Sequence, residues 1–385
     1  MRLTQPPFPV AAQVRFLTNS GLYLHIPFCD SKCRYCSFYS LTANEDKKAE
    51  YTQALCREIE KRGGKLTRPF HSLYIGGGTP SALGSELLCE IIKTALDSFN
   101  FVEDAEITVE VNPKTGSEGL FASLKEAGVN RISMGIQSGN DRELKTLGRA
   151  HTAKVARQAF YDARKAGFDN ISVDLMIGLP DSNRRSLKKS LDFVLSLDPE
   201  HISTYILSID EGTPLYDIRN SLEIPDEEET VRQYMQVCKA LSKAGYEHYE
   251  ISNFAKIGRR SRHNTNYWEC GDYIGIGPAA HSFMLHQRFY YPADIEAFIN
   301  EPKQEYDCAG GDMNEFIMLK LRLSDGISLK HLNHYYGFEP TEEFMKKVRL
   351  FEENKLCRFD GDNLALTEKG MLLSNEIIAE LENCL

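Results

Sequence analysis

Short apolar runs alternate with longer amphipathic segments along the first two-thirds of the chain. The runs are rich in β-branched and aromatic residues, which predicts strands, at 22–26, 72–75, 106–111, 131–136, 171–177 and 201–207. The segments between them repeat apolar residues every three or four positions, which predicts helices, at 44–62, 85–99, 117–127, 152–166 and 186–197. Strands that alternate with helices favour right-handed βαβ units and a parallel sheet. Six such units are consistent with an open, partial α/β barrel.

The last third of the chain has a different pattern. A helix is predicted at 225–244, followed by an outer strand at 246–254. The Glu-Pro-Lys-Gln-Glu stretch and a later glycine pair predict a linker from about residue 300 to 311. Beyond this linker we expect helical segments and a hairpin at 357–366. We therefore expect an N-terminal extension, a partial barrel, a connecting segment and a small C-terminal domain, at 1–20, 21–255, 256–300 and 301–385.

The composition is that of an ordinary globular protein, since 42% of the 385 residues are hydrophobic and 26% are charged. A formal net charge of −10 argues against nucleic acid as the main partner. The ten cysteines do not form the dense pattern of a secreted disulfide framework. No apolar stretch approaches the length of a membrane-spanning helix. We therefore expect a cytoplasmic protein that is not transmembrane.

Three cysteines form a C-x-x-x-C-x-x-C array directly after the first predicted strand, at Cys29, Cys33 and Cys36. Pro27 ends that strand, so the array lies on the loop at its carboxyl end, where α/β enzymes place their chemistry. Three thiolates so close together can bind an iron–sulfur cubane and leave its fourth iron open. Two alternatives remain: a helical stripe of core cysteines, or a zinc site, which normally needs four ligands. His25 is a candidate fourth ligand, although local packing is the commoner role.

Further polar or glycine-rich positions follow the predicted strands. The segment 76–80, Gly-Gly-Gly-Thr-Pro, lacks Cβ atoms that would keep a ligand from the backbone, and its exposed N–H groups can meet a carboxylate. A tight turn between strand and helix is the alternative. Glu110, Gln137 and Asp174 stand within or just after apolar strands. Because burying an unpaired carboxylate is costly, we expect these side chains to face the barrel lumen. Local hydrogen bonding in a polar barrel centre is the alternative.

The cysteine array and the preceding Tyr-x-His-Ile-Pro-Phe sequence resemble the signature of the radical S-adenosylmethionine (SAM) superfamily, in its anaerobic coproporphyrinogen oxidase branch. The resemblance implies a (β/α)6 radical SAM barrel with a small winged-helix-like C-terminal domain. It also implies that Cys29, Cys33 and Cys36 hold a 4Fe–4S cluster whose fourth iron is chelated by SAM. The residues that the resemblance places around SAM are Tyr23, Tyr35, Gly77, Gly78, Thr79, Glu110, Gln137, Arg149 and Asp174.

Two departures distinguish this chain from the oxidases. The oxidases carry a fourth cysteine two residues after the third, and Phe38 takes that position here. The segment 263–268, His-Asn-Thr-Asn-Tyr-Trp, resembles the H-N-x-x-Y-W hallmark of HemW-type heme chaperones. A neutral imidazole is a common axial ligand of heme iron, so His263 is the candidate heme contact. The alternative is that this segment simply seals the edge of the barrel. A second histidine, His281, stands where HemW-type chains also carry histidine.

The resemblance implies a binding and transfer protein rather than a turnover enzyme. Its expected partners are heme, an acceptor protein such as a respiratory hemoprotein, and an electron donor if SAM is cleaved. The alternative function is an oxygen-independent coproporphyrinogen III oxidase, which would use the same cofactors for oxidative decarboxylation. Phe38 and the 263–268 segment both favour the chaperone.

Overall fold

The computed structural model describes residues 20–385, so the expected N-terminal extension at 1–20 lies outside the described residues except for Ser20. The described chain contains a twelve-stranded sheet, in the order β12-β11-β10-β9-β1-β2-β3-β4-β5-β6-β8-β7, and a separate three-stranded sheet. The central part of the large sheet is formed by six consecutive parallel strands. They are β1 (Ser20–Ile26), β2 (Phe70–Gly77), β3 (Phe101–Val111), β4 (Arg131–Gln137), β5 (Ile171–Ile177) and β6 (His201–Ile206).

Helices connect successive parallel strands. They are α1 (Glu45–Gly63), α2 (Gly84–Ser98), α3 (Glu118–Glu126), α4 (Asp141–Thr146), α5 (Ala153–Lys165) and α6 (Arg184–Leu197). A 3-10 turn, Pro80–Leu83, precedes α2. Residues with side-chain oxygens begin most of these helices, as at Asn44 before α1 and Thr152 before α5, where each oxygen accepts from a backbone N–H of the first turn. The predicted α/β partial barrel of six units is confirmed.

Alternate residues of the parallel strands are apolar and pack in the core beneath the helices, while polar residues such as Asp174 occupy positions between them. Leu22, Leu24 and Ile26 of β1 are fully buried, and so are Ile171, Val173 and Leu175 of β5. Near-continuous burial of this kind is typical of parallel strands. The amphipathic helices supply the outer layer, since α2 buries Leu88, Ile91 and Ile92 against the same core.

The sheet extends beyond the six parallel strands on both sides. After β6 come α7 (Pro214–Ile218), the 3-10 turn Arg219–Ser221, α8 (Glu227–Lys243), β7 (Glu247–Glu250), β8 (Asn253–Ala255), α9 (Arg262–Trp268), β9 (Asp272–Ile276), β10 (His281–Met284), β11 (Gln287–Tyr290), α10 (Ile295–Asn300) and β12 (Glu305–Ala309). Strand β9 pairs in parallel with β1, and β10 to β12 add antiparallel strands beyond it. The opposite edge is formed by β8 and β7.

Two predictions about this region are wrong. The single outer strand expected at 246–254 is a hairpin of β7 and β8, because the chain turns at Ile251 and Ser252. The linker expected at about 300–311 contains strand β12. All five residues of β12 are exposed, so this edge strand lacks the apolar pattern from which strands are predicted.

The C-terminal part contains α11 (Met313–Lys320), β13 (Ile327–Ser328), α12 (Leu329–Tyr336), α13 (Glu342–Glu353), β14 (Cys357–Phe359), β15 (Asn363–Leu366), α14 (Glu368–Met371) and α15 (Ser374–Glu382). The order from α11 to β15, one helix, a short strand, two helices and a two-stranded hairpin, is that of a winged helix. The predicted hairpin at 357–366 is confirmed as β14 and β15.

The C-terminal part packs near both edges of the large sheet. Near the β7–β8 edge, Ile251 donates its N–H to the carbonyl of Arg322 at 3.2 Å, and Ser324 donates to the carbonyl of Tyr249 at 2.9 Å. Beyond β9, Phe283 of β10 belongs to the same apolar cluster as the C-terminal helices. The C-terminal part therefore bridges the two ends of the curved sheet. Among the described residues, no helix is both long enough and apolar enough to cross a membrane.

Candidate functional site

A cavity of about 430 Å³ lies at the carboxyl end of the parallel strands, beside the cysteine loop. It contains almost all of the residues that the sequence singled out, namely Cys29, Cys33, Tyr35, Cys36, Gly77, Gly78, Thr79, Glu110, Gln137, Arg149 and Asp174. These residues come from the loops or ends of β1 to β5, because parallel strands bring their carboxyl ends to one edge of the sheet. Tyr23 and His263 lie outside this cavity.

The cysteine loop is irregular and closed at its base. Cys29 donates its N–H to the carbonyl of Leu41 at 3.0 Å, and Leu41 donates back to the carbonyl of Pro27 at 2.7 Å. All three thiols are half-buried and line the cavity. The alternative of a helical stripe of core cysteines is therefore wrong, because the loop is not helical and its thiols are not in the core.

His25 is not placed to act as a fourth ligand. Its Nδ1 pairs with the hydroxyl of Tyr23 at 3.0 Å, and its Nε2 pairs with the carbonyl oxygen of Tyr39 at 3.1 Å. Burial lowers the pKa of His25 to about 4, so the ring is neutral. Within residues 20–385, no three His, Cys, Asp or Glu side chains are arranged around a single-ion site. A cubane differs from such a site because its three cysteines bind three separate irons.

The donors and charges around the thiols fit an anionic iron–sulfur cluster. The guanidinium of Arg149 lies 3.4 Å from the sulfur of Cys33, and the hydroxyl of Thr79 lies 3.5 Å from that of Cys29. A neighbouring cation stabilises thiolates, which are the form that binds iron. Arg149 also donates to the carbonyl of Gly135, while its Nε is buried and has no partner. The Arg149 side chain lines the cavity, and its guanidinium charge suits a ligand carboxylate.

The glycine segment approaches the cysteine loop more closely than a side chain would permit. A Cβ at Gly77, whose φ is +114°, would meet the His25 ring at 2.7 Å, and one at Gly78 would meet the carbonyl oxygen of Phe28 at 2.7 Å. The expectation that the N–H groups of this segment are exposed is wrong. Gly78 donates to Ile26 at 2.8 Å and Thr79 donates to Phe28 at 2.7 Å. Since these donors are used, the segment suits a ligand amino group better than a carboxylate.

Two half-buried carboxyl groups line the lumen. Burial raises the pKa of Glu110 to about 7 and that of Asp174 to about 6. Glu110 accepts a 2.7 Å hydrogen bond from the hydroxyl of Tyr74 and a 3.3 Å bond from the N–H of Gly77. Glu110 thus forms local hydrogen bonds and also lines the cavity. The two interpretations of the sequence, a lumen-facing carboxylate and a locally hydrogen-bonded one, are therefore compatible. Gln137 adopts a left-handed backbone, with φ of 72°, at the carboxyl end of β4.

His263 lies in α9, beside β2, and is almost completely buried. Its Nδ1 pairs with Ser72 Oγ at 2.8 Å, its Nε2 pairs with the hydroxyl of Tyr267 at 2.7 Å, and its ring stacks on Tyr74. Burial lowers the pKa of His263 to about 3, so the imidazole is neutral. Trp268 packs with the Tyr249 and Leu323 cluster, as the edge-sealing interpretation requires.

Several lining residues were missed by the sequence reasoning. Tyr205, at the end of β6, is 42% exposed and lines the cavity with Ser208 and Asp210. Its position at a strand's carboxyl end was an available signal, because Glu110, Gln137 and Asp174 were found by the same rule. Tyr74, which orients Glu110, carried no such signal, since it lies inside β2.

Comparisons with known proteins agree with this arrangement. Residues 23–194 match the radical SAM superfamily, and residues 312–373 match the HemN C-terminal domain. Coproporphyrinogen III oxidase (HemN) from Escherichia coli has the same fold, with a TM-score of 0.82 and 21% identity, over 98% of this chain and 95% of that one. The fold and the three-cysteine loop therefore define a radical SAM protein.

Sequence relatives show which family of radical SAM proteins the chain belongs to. Heme chaperone HemW from Mycobacterium tuberculosis (strain H37Rv) is 34% identical over 94% of this chain and 94% of its own length. The Bacillus subtilis protein of the same name is 34% identical over 92% of this chain and 97% of its own. A Bos taurus relative, radical S-adenosyl methionine domain-containing protein 1, mitochondrial, is 35% identical over 94% of this chain and 87% of its own length. The chain belongs to the HemW family.

Proposed function

We propose that this chain is a heme chaperone that binds a 4Fe–4S cluster, SAM and heme, and passes the heme to an acceptor protein. The observation that carries the proposal is the similarity to HemW chaperones over 94% of the chain, which spans both the cysteine loop and the 263–268 segment. The half-buried thiols and the neighbouring cavity support the same assignment.

Cys29, Cys33 and Cys36 would hold the cluster, which supplies one-electron chemistry when it is bound. The cavity of about 430 Å³ falls in the range of small-molecule sites and suits one SAM molecule. The guanidinium of Arg149 is suited to the SAM carboxylate, and the glycine segment is suited to the amino group. Glu110, Gln137 and Asp174 are polar groups that fix the rest of the ligand, with Tyr35 at the wall.

Heme would bind at the segment that carries the H-N-x-x-Y-W sequence. Tyr267 provides a flat face of the kind that stacks on a macrocycle, and His263 provides a neutral imidazole, whereas Trp268 is packed against the Leu323 cluster. In the present conformation both nitrogens of His263 have partners. Iron ligation by His263 therefore requires its bond to Ser72 or to Tyr267 to break.

The alternative function is coproporphyrinogen III oxidation, because the Escherichia coli oxidase shares the fold. The side chain at the position of the oxidases' fourth cysteine is the phenyl ring of Phe38. This ring is 71% exposed at the cavity wall and has no thiol to offer. We therefore favour the chaperone.

Its partners would be heme, a heme-requiring acceptor such as a respiratory hemoprotein, and an electron donor if SAM is cleaved. We propose a cytoplasmic location, because a cluster with an open iron needs a reducing compartment.

The test is a hemin titration of the anaerobically reconstituted full chain, followed in the Soret region, with and without SAM. We expect saturation at one hemin per chain and a dissociation constant below about 10 μM, which corresponds to roughly 7 kcal/mol of binding. A linear response that does not saturate, like that of hemin added to buffer without protein, would reject the heme-binding part of the proposal. Cluster content and SAM binding are measured on the same sample, so a loss of either can be distinguished from a loss of heme binding.

A further inference from the structure

A second cavity, of about 270 Å³, lies beside β1, between strands β9 to β11 and the C-terminal part. It is lined by three tyrosines, one histidine, one arginine and one leucine, namely Tyr23, Tyr267, Tyr273, His281, Arg288 and Leu319, together with Ala279. The first cavity is the one suited to the cluster and SAM, so a large third ligand needs a different surface. The second cavity contains aromatic walls and an exposed imidazole.

His281 is exposed at this cavity and its backbone is tightly fixed. Ala279, two residues before it, has a left-handed backbone with φ of 63°, which is unfavourable for a residue with a Cβ. Gly275 of β9 lies so close that a Cβ there would meet the carbonyl oxygen of His281 at 2.1 Å. A non-glycine residue in a strained conformation persists only where the surroundings impose it, and such sites cluster at ligand-binding positions.

The tyrosine wall connects this cavity to the 263–268 segment. The rings of Tyr267 and Tyr273 lie 4.5 Å apart in an edge-to-face arrangement. Behind them, the hydroxyl of Tyr267 pairs with Nε2 of His263 at 2.7 Å. His263 therefore lies one layer behind the cavity wall, while His281 lies at its surface.

One guanidinium, that of Arg288, lines the cavity. Arg288 hydrogen-bonds to the Tyr273 hydroxyl at 3.2 Å and forms an ion pair with Glu315 of α11. A guanidinium presents several donors and can bind a ligand carboxylate while keeping one protein partner. An imidazole, flat aromatic faces and a guanidinium together match a planar iron porphyrin with acidic side chains.

We propose that this second cavity receives heme, with His281 as the imidazole that ligates the iron and His263 as a positioning residue that holds Tyr267 in the wall. The inference rests on the proposed function and names where the heme binds. At about 270 Å³ the cavity is at the small end of ligand sites, so it grips one edge of the macrocycle. The rest of the macrocycle would be exposed to solvent, which suits a protein that transfers its heme to an acceptor protein.

The test compares His281→Ala, His263→Ala and Tyr267→Phe with a matched control, His334→Ala, which removes an exposed imidazole from α12. Each full-length, reconstituted variant is titrated with hemin and with metal-free protoporphyrin IX. His281→Ala should lose the Soret signature of histidine ligation and weaken hemin binding about tenfold or more, a factor worth 1.4 kcal/mol. Its affinity for metal-free protoporphyrin IX should change less, because the walls remain.

Tyr267→Phe and His263→Ala should weaken the binding of both hemin and metal-free protoporphyrin IX but keep the Soret signature of histidine ligation. His334→Ala should bind both as the wild type does. Tyr267→Phe keeps the ring, so it tests the wall even if His263→Ala fails to fold. The inference is overturned if His281→Ala keeps histidine ligation, or if His263→Ala or Tyr267→Phe abolishes it. Wild-type protein that binds no hemin would instead reject the proposed function itself.

Discussion

At the scale of single residues, Glu110 both forms local hydrogen bonds and lines the first cavity. Its carboxyl group is held by Tyr74 and Gly77 at the cavity wall, and burial raises its pKa to about 7. In the unfolded chain the same group ionises near 4.5. Between these values Glu110 binds fewer protons in the unfolded state than in the folded state, so its own contribution to folding stability falls as the pH rises.

We therefore expect Glu110 to contribute about 1–3 kcal/mol less to the stability of the cofactor-free protein at pH 8 than at pH 5, while buried histidines with a lowered pKa, such as His25 and His263, act in the opposite direction. Asp174, with its pKa raised to about 6, acts in the same direction as Glu110. Glu110→Gln should remove its part of the slope in urea unfolding at the two pH values. Glu103→Gln, on the exposed part of the same strand, should not. An unchanged slope in Glu110→Gln would contradict the raised pKa.

The cysteine loop makes a second prediction at this scale. Cys33→Ala should lose most of the four irons and the visible absorption of a reconstituted 4Fe–4S cluster. Cys308→Ala removes an exposed thiol from β12, outside the loop, and should keep both. Iron and sulfide analysis per chain measures the effect. Equal iron content in the two variants would show that the loop does not hold the cluster.

Residue identities in the first cavity could be predicted because their signal is local. The cysteine spacing and the polar residues at strand ends stand in short sequence windows, and the parallel sheet brings those windows together. The environment of His263 could not be predicted, because its partner Ser72 is 191 positions away. The use of the glycine N–H groups depends likewise on where the carbonyls of Ile26 and Phe28 fall.

At the scale of elements, the glycine segment after β2 controls how closely two loops approach. Gly78→Ala places a Cβ against the backbone carbonyl of Phe28, which cannot rotate away. We expect about 1–3 kcal/mol of lost stability from overpacking, with weaker cluster and SAM binding. Gly119→Ala, in α3, meets nothing within 4 Å and should be neutral or stabilising by up to about 1 kcal/mol. Thermal unfolding and SAM titration of both variants test this, and equal losses in the two would contradict the close approach.

Element boundaries were predictable where burial imposes a pattern. Strand β5 has the bounds that its apolar run predicts, 171–177. Strand β12 is exposed along its length and pairs on one side only, so hydrophobic periodicity carried no information about it. The β7–β8 hairpin was merged into one strand because its two-residue turn contains neither glycine nor proline.

At the scale of the whole molecule, the C-terminal part joins the two ends of the curved sheet. Phe283 of β10 is buried in the C-terminal cluster, while Ile251 and Ser324 link that part to the other edge. Because the core of one part includes residues of the other, we expect a single cooperative transition in calorimetry of the cofactor-free chain. Two separated transitions would show that the parts unfold independently.

The central claim is that a radical SAM barrel serves here to carry heme rather than to oxidise a porphyrinogen. The most direct measurement gives the anaerobically reconstituted chain SAM and a reductant, with coproporphyrinogen III or hemin in separate runs. The chaperone function predicts no protoporphyrinogen, together with one hemin bound per chain. Catalytic conversion of coproporphyrinogen III to protoporphyrinogen over many turnovers would contradict it.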